Sequence, residues 1–558
     1  MILILSVWIC YAGVLKAPFV WDDLEMVVNN PLITSLHHVP DIFKTGAFLE
    51  AADSGKFYRP IQILTYTFDY AMGKGLNPAY FHLTSVVIHT LSVIALFFLL
   101  LEFGLNLTIA FWVTLFFAIH PLNTEAVTYV SGRGDVLFVL FCLVSFYAFL
   151  KGLKGSWGWF IGTLLGWVLA ILSKENAVAL PVIMASYGMW FPEKTTSKKR
   201  FVSSLVCLAV IGGYIYYRVA VSHVTESGTL SVIAMAPLWQ RVLTIPHMIW
   251  LYLKLLVVPY PLHMEYHFVD TGMLNPYFLI GVPALLVGAF LVFHYVKPYS
   301  KVWFWGGWFF IGLGPVYQLL PLASTIREHW VYFPQIGLFV LLAFLGESMS
   351  QRVGFLRKKG VTLAILTCMA MVLMGLTWVR NQNWQNAFTL YSHDVEYAPN
   401  SFLLLNNLGY EYYFKGDVAA AKEAFKQSME VAPGEGYGTA MNNYAAVIEG
   451  EGRTDEAIEL YKKSISVSHY QLAYANLGKI YLLRNQFFES IHILKEGLLS
   501  YPYHLDMNYY LAIALMQAQQ TEESKKVILF IQSLHPHYKN TDDLLLAIER
   551  KRPLLLHP

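Results

Sequence analysis

Apolar runs long enough, or nearly long enough, to cross a bilayer recur through the first 379 residues. They fall at 1–16, 80–102, 106–119, 135–151, 156–173, 177–191, 201–219, 276–296, 302–320, 330–348 and 361–379. Backbone in hydrocarbon must satisfy its own hydrogen bonds, so such runs become helices packed side by side. Composition agrees: 56% of the 558 residues are hydrophobic and 14% charged, against roughly 25% charged in ordinary globular chains. The fold class expected is all-α, a polytopic membrane helical bundle. One more apolar run, 242–258, carries Lys254 and is flanked by prolines.

Orientation follows from basic residues. Lys151 and Lys154 share one short loop, Lys194, Lys198, Lys199 and Arg200 a second, Lys297 and Lys301 a third, and Arg352, Arg357, Lys358 and Lys359 a fourth. The positive-inside rule puts all four in the cytoplasm. Parity then requires that 242–258 does not cross, so it is read as re-entrant or interfacial. The expectation is about 11 crossings, with the N-terminus inside and the C-terminus outside. Met1 to Leu15 has no charged leading region and is read as a first membrane helix rather than a signal peptide. Cys10, Cys142, Cys207 and Cys368 all lie in apolar runs without CxxC spacing and read as core residues. A net charge of +2 without a basic tract excludes nucleic acid as a partner.

Beyond about residue 380 polar helices replace apolar ones and a period near 34 residues appears. Leu408-Gly409, Tyr412, Ala421, Phe425 and Pro433 make one tetratricopeptide unit. Tyr444-Ala445, Ala457 and Tyr461 mark a second, Leu477-Gly478, Tyr481 and Pro502 a third, and Leu511-Ala512, Leu515, Ile528 and Pro536 a fourth. The domains are therefore 1–379 in the membrane, with a first extracytoplasmic loop at 17–79; a connecting half-repeat at 380–400; an α-solenoid of about four repeats at 401–538; and a tail or capping helix at 539–558. Stacked repeats form a concave surface. Asn407, Asn443 and Asn476 precede the small-residue pair in three units. An amide both donates and accepts, so this ladder suits an extended acceptor peptide; alternatively asparagine is merely common at that position.

On the expected topology WDD (21–23), HPLNTEAVTYVSGRGD (120–135), SKEN (173–176) and REHWVY (327–332) emerge on one extracytoplasmic face. Charged groups abutting membrane helix ends in short loops point to a shared cavity rather than solvated connections. Asp22 and Asp23 sit where the first apolar run meets water. Either can act as a general base, Asp23 being slightly preferred, or the pair can shape a loop-entry turn. Residues 59–72 place Ile61, Leu64, Phe68 and Ala71 on one face, an amphipathic helix lying in the interface plane.

FVWDD, YRPIQILTYTFDY with FHLTSVVIHT, HPLNTEAVTYVSGRGDVL, SKEN and VYFPQIGL, in that order, resemble the transmembrane and tetratricopeptide-containing O-mannosyltransferases and their bacterial relatives, of the GT-C glycosyltransferase class. The resemblance covers nearly the whole chain. It implies an inverting transfer of a monosaccharide such as mannose from a polyprenyl-phosphate donor to a protein serine or threonine outside the cytoplasm, with the catalytic acid at Asp22 or Asp23. A bacterial plasma membrane or an endoplasmic reticulum satisfies the same topology. The developing phosphate charge needs cations in place, for which Arg59, Arg133, Lys174, Arg327 and His329 are candidates. Arg133 can alternatively pair with Asp135 or Glu125, and Lys174 with Glu175. His120, Glu125, Asp135, Glu175, Glu328 and Tyr332 are assigned to the pocket, with capping or packing the alternative for His120. The family usually reads acid-arginine-x-x-tyrosine before the VYFP-like stretch. Here Glu328 matches the acid, His329 replaces the arginine, and Arg327 precedes the acid. Asp22, Asp23, His120 and Glu125 include metal-ligand types, but lipid-monophosphate donors are often used without metal, and no cofactor is expected. Two rival readings are the same chemistry on a lipid-linked glycan or surface polysaccharide, and a membrane-anchored scaffold without activity.

Overall fold

The computed structural model describes residues 1–44, 57–192, 211–213, 216, 231–272, 275–297, 299–353, 358–535 and 537–549. Most of the expected run 201–219, most of the second cytoplasmic loop, Arg357, Cys207, Pro536 and the end of the tail lie outside them. Among the described residues the architecture is all-helical, with one β-bridge joining Tyr266 to Ile326. The chain forms two compact units, one ending at Ala398 and the other beginning at Pro399. The connecting half-repeat therefore packs mostly with the first unit.

Among the described residues, three helices are long and apolar enough to cross a membrane: Pro78–Glu102, Val130–Lys154 and Gly360–Asn383. Leu107–Ile119 with Pro121–Val127 makes a fourth if that pair, bent by 53°, counts as one span. Eleven crossings are thus not matched by eleven long helices. Local breakers explain part of the shortfall. Pro121 ends the 107–119 helix at His120, and Gly314-Pro315 stops Tyr299–Leu313 well short of residue 320, because proline removes a donor and clashes with the preceding turn. Apart from Val258, its C-cap, the 242–258 run lies in one continuous helix, Leu238–Val257, with Pro246 inside it.

One contiguous apolar core runs through the first unit, centred on Phe103, Phe146, Tyr187, Phe304 and Trp308. The first loop has a core of its own. Met26, Val27, Ile33, Ile42 and Ile63 pack on Tyr66, Phe81 and Val130. The expected amphipathic helix spans Pro60–Gly73; Phe68 and Met72 stay exposed while Gln62, Tyr66 and Asp69 turn inward. Its polar face is the one held by protein, and the apolar stripe faces outward.

The second unit consists of helical hairpins, Phe402–Phe414 with Val418–Val431, Gly438–Gly450 with Thr454–Ser468, Gln471–Leu483 with Phe487–Ser500, and Leu505–Gln517 with Thr521–Leu534, then Thr541–Glu549. The small position exists because partners leave no room. A Cβ on Gly409 would stand 2.8 Å from the Phe425 ring, and one on Gly478 2.5 Å from Leu494. A buried serine ties each hairpin, Ser428 to the Phe402 carbonyl, Ser464 to Gly438, Ser490 to Gly478 and Ser524 to Ala512.

Candidate functional site

The site begins at a backbone irregularity. Trp21 has φ +54°, a left-handed value that a bulky side chain rarely adopts. Directly after it the Val20 carbonyl accepts from the Asp23 N–H at 3.0 Å, and a π turn follows over Leu24–Val28. The two aspartates end up with different tasks. Asp23 is fully buried; one carboxylate oxygen accepts from the Ser131 N–H at 2.7 Å and its hydroxyl at 2.6 Å, and the other from the Val20 N–H at 3.1 Å. Burial, partly offset by these bonds, pushes its pKa up to about 7. Asp23 pins the first loop to residue 131, and its carboxylate is spent on that. Asp22 is partly exposed, and its N–H donates to the Tyr129 hydroxyl at 3.0 Å. Burial raises its pKa against the opposing pull of Arg327, Tyr129 and Arg59, with Glu265 adding to the rise.

Around Asp22 runs a chain of alternating charges. Arg59 grips Glu175 with two nitrogens, at 2.7 and 3.2 Å. Burial opposes ionisation of Glu175, but Arg59 and Lys174 outweigh it and hold the pKa at about 2. Lys174 contacts Asp135 at 2.6 Å, both buried. The His329 ring lies 3.0 Å from Glu125 by Nδ1 and 3.9 Å from Asp135 by Nε2, while its N–H donates to Glu125 at 2.9 Å. Arg327 pairs with the buried Glu265, which also holds His267, donates to the Met264 carbonyl at 3.1 Å, and lies over the Trp21 ring. The Tyr266–Ile326 bridge and the Thr325 bonds to Tyr266 and Phe268 zip the segment carrying Glu265 to that carrying Arg327. Arg59, Glu175, Arg327 and His329 keep side-chain exposures of 12, 23, 15 and 14%. With Asp22 they form the reachable rim.

Several expected roles are corrected. Arg133 is no phosphate ligand. It is fully buried, 2.5 Å from Asp69, bonded to Ser85, Thr65 and the Phe81 carbonyl, and set over the Tyr66 ring. Its partner is Asp69, neither Asp135 nor Glu125. Lys174 and Glu175 pair with other residues rather than with each other. His120 is a buried cap, its nitrogens meeting the Leu256 carbonyl and the Leu122 N–H. Tyr332 is a core residue bonded to His89 at 2.6 Å. Glu328 lies below the rim, buried, with Tyr266 on one oxygen and none on the other. Burial, with Glu125 and Asp394 adding to it against Arg380, pushes its pKa up to about 8. The asparagine ladder exists, and its amides are bonded to the asparagines one position earlier, Asn406 and Asn442. Asn443 donates to Asn406 at 2.9 Å and Asn476 to Asn442 at 3.0 Å, while Asn407 and Asn443 accept from Asn406 and Asn442.

Sequence reasoning missed Glu265, His267, Tyr129, Arg380 and Asp394. Arg380 holds Asp394 with two nitrogens, at 2.8 and 3.3 Å, and the Met264 N–H donates to the same carboxylate at 2.8 Å. The signal for Glu265 was an acid within HMEYH right after an apolar run. Asp22, Asp23, His120 and Glu125 do not gather as ligands, and no group of three or more His, Cys, Asp or Glu among the described residues could hold a metal ion.

The chain joins a helical segment similar to mannosyltransferases to tetratricopeptide repeats. The family model for dolichyl-phosphate-mannose-protein mannosyltransferases matches residues 73–217, and that for the tetratricopeptide repeat residues 404–435. These matches agree with the resemblance that its ordered motifs carry to the transmembrane and tetratricopeptide-containing O-mannosyltransferases. It is similar to protein O-mannosyl-transferase F38B6.6 of Caenorhabditis elegans, at 24% identity over 449 residues, covering 75% of this chain and 60% of that protein. It is similar to protein O-mannosyl-transferase TMTC3 of Homo sapiens, at 22% identity over 95% of this chain and 67% of the relative. A shorter stretch, 32% of this chain and 22% of the relative, is 34% identical to protein O-mannosyl-transferase TMTC2 of Mus musculus. The chain thus spans 60 to 67% of the length of the first two relatives.

Proposed function

We propose that the chain is an inverting glycosyltransferase that moves a monosaccharide, mannose by analogy with its relatives, from a polyprenyl phosphate to a serine or threonine hydroxyl of a protein on the extracytoplasmic side. The observation that carries this reading is Asp22: a partly exposed carboxylate with a burial-raised pKa, beside Arg327 and Arg59. In a single displacement the acceptor oxygen attacks the anomeric carbon, the bond from that carbon to the phosphate oxygen breaks, and the hydroxyl proton passes to Asp22. A raised pKa makes that carboxylate a stronger base, and such groups typically contribute 10²–10⁴-fold. Arg327 and Arg59 face the charge that develops on the leaving phosphate, which planar guanidinium donors suit. Both cations are already balanced by Glu265 and Glu175, so an entering phosphate competes with carboxylates for their donors. The repeats recruit the acceptor. No metal is assigned a role.

The experiment is transfer from a polyprenyl-phosphate mannose to a serine- and threonine-containing peptide by the purified full chain. Asp22→Asn should abolish transfer while donor binding persists, and Asp23→Asn should act through folding yield. Full activity in Asp22→Asn would overturn the assignment of the base.

A further inference from the structure

Two consecutive backbone N–H groups at the site are each held by a tyrosine hydroxyl. Asp22 uses Tyr129, 3.0 Å away, and Trp21 uses Tyr391, 3.2 Å away. Tyr391 comes from the Ala387–Tyr397 helix, which follows the last long apolar helix and precedes the first complete repeat. Its ring meets the Trp21 indole edge to face at 5.8 Å, and the other side of the site places the Arg327 guanidinium 5.9 Å from the same indole. Trp21 is also the residue with φ +54°. A bulky side chain in that region is strained, so surrounding contacts must hold it there.

That helix is itself anchored. Asp394 is buried and takes the Arg380 guanidinium and the Met264 N–H. Trp384, just before the helix, stacks on Tyr129 at 5.6 Å. The same short stretch of chain therefore supports both tyrosines that grip the turn.

We propose that Tyr391 is a positioning residue for the transfer reaction: through the N–H and indole of Trp21 it holds the left-handed turn that presents Asp22. The inference rests on Asp22 being the base. Tyr391 touches no reacting atom; it acts through Trp21. Releasing the turn lets Asp22 take up water and move away from Arg327, Arg59, Glu265 and Tyr129. Relief of burial then dominates, because burial is the largest influence on that carboxylate.

The test is Tyr391→Phe in the full chain, assayed with a polyprenyl-phosphate mannose and a serine- and threonine-containing peptide. One lost hydrogen bond predicts a kcat lower by about tenfold, with the donor KM within about twofold of wild type. The acid limb of the kcat profile should move to lower pH, which a smaller active fraction would not produce. Wild-type kcat with an unmoved acid limb would overturn the role of Tyr391. Should Tyr391→Phe not fold, Trp21→Gly tests the tie from the other side. Glycine enters the left-handed region freely but has no indole, so the same fall and shift are expected, and an unchanged profile overturns the proposal. Asp22→Asn separates the two claims. An inactive Asp22→Asn beside an unaffected Tyr391→Phe removes the positioning role alone, whereas an active Asp22→Asn removes the base beneath it.

Discussion

Replacing Arg133 by methionine separates a structural cation from a ligand for phosphate. From the sequence, an arginine between two glycines near helix ends was a fair phosphate candidate. In the fold, the side chain is wholly buried and every polar contact it makes is inside the protein: Asp69 at 2.5 Å, Thr65 at 3.0 Å, Ser85 at 3.2 Å and the Phe81 carbonyl at 2.5 Å. Removing one member of a buried ion pair costs about 3–5 kcal/mol, because the other charge is left without compensation. Arg133→Met should therefore lower the unfolding midpoint of the detergent-solubilised protein markedly. Arg133→Met with Asp69→Asn should recover more than half of that loss, since no lone charge remains. The pH sign follows from Asp69. Burial already raises its pKa, and Arg133 is the main force opposing the rise. Without Arg133 the folded-state pKa climbs further above the unfolded value. The penalty is then absent below the unfolded pKa and complete above the folded one. Arg133→Met should approach wild-type stability as pH falls. Differential scanning at several pH values, with the double variant beside the single one, is the assay. A stable Arg133→Met that had lost only donor binding would refute the reasoning and return Arg133 to the phosphate.

The raised pKa of Asp22 predicts that transfer is lost as pH falls through it, because the protonated acid cannot accept the hydroxyl proton; a kcat profile whose acid limb coincides with an ordinary exposed aspartate would contradict this. Glu328, pushed to about 8, keeps its proton at pH 7 in the folded state while the unfolded chain's glutamate is ionised, so Glu328→Gln, which has no such proton to retain, should be the more stable protein there. Because the folded pKa is raised, wild-type stability falls as pH rises from the unfolded value to about 8 and levels off above it, a fall that Glu328→Gln should lack; melting temperatures of the two that stay parallel from about pH 4 to 9 would refute it. His329→Arg should keep kcat within about threefold, since a guanidinium can make paired bonds to Glu125 and Asp135, whereas His329→Ala should lose about tenfold or more. Asn443→Ala with Asn476→Ala removes two bonds between repeats and should destabilise the second unit by about 1–3 kcal/mol, read as a lower melting transition; weaker acceptor binding at unchanged stability would restore the ladder to peptide recognition.

What could be read in the sequence was whatever rests on local pattern. The 34-residue period and the small residue at Gly409 each follow from neighbours in the chain, whereas apolar run length alone gave more spans than the long helices described. The polar groups around Asp22 also belong to motifs visible as short strings, and four of the five expected cations do reach the rim or its floor. Pairing was not legible. Nothing local says that Arg133 meets Asp69 rather than Asp135, since the long stretch between Asp69 and Arg133 closes only when the Pro60–Gly73 helix turns Asp69 inward. The same holds for Glu265. It belongs to a segment that looks like a connection after an apolar helix, and only the bridge from Tyr266 to Ile326 brings it to Arg327. Asn407, Asn443 and Asn476 show the limit of reading a repeat position as a binding surface. Their spacing was right, but Asn406 and Asn442, one residue earlier, claim part of their hydrogen-bonding capacity.

The exchange at 327 and 329 has a geometric explanation. Arg327 is extended, with φ −132° and ψ 143°, and the 3-10 turn Glu328–Val331 starts immediately after it. That change of backbone sends Glu328 down to Tyr266 and leaves Arg327 and His329 on the rim, one toward Asp22 and Glu265, the other toward Glu125 and Asp135. The two carboxylates of Glu125 and Glu265 both raise the pKa of Arg327 against the effect of burial, so its charge acts on each side of the rim at once. A cation two residues earlier can therefore serve the cavity that an arginine at 329 would serve. What the exchange alters is which acid it leans on: Glu265, supplied by the segment after Leu238–Val257, becomes the partner that sets the guanidinium facing Asp22. Loss of Glu265 should then resemble loss of Arg327 more than loss of His329.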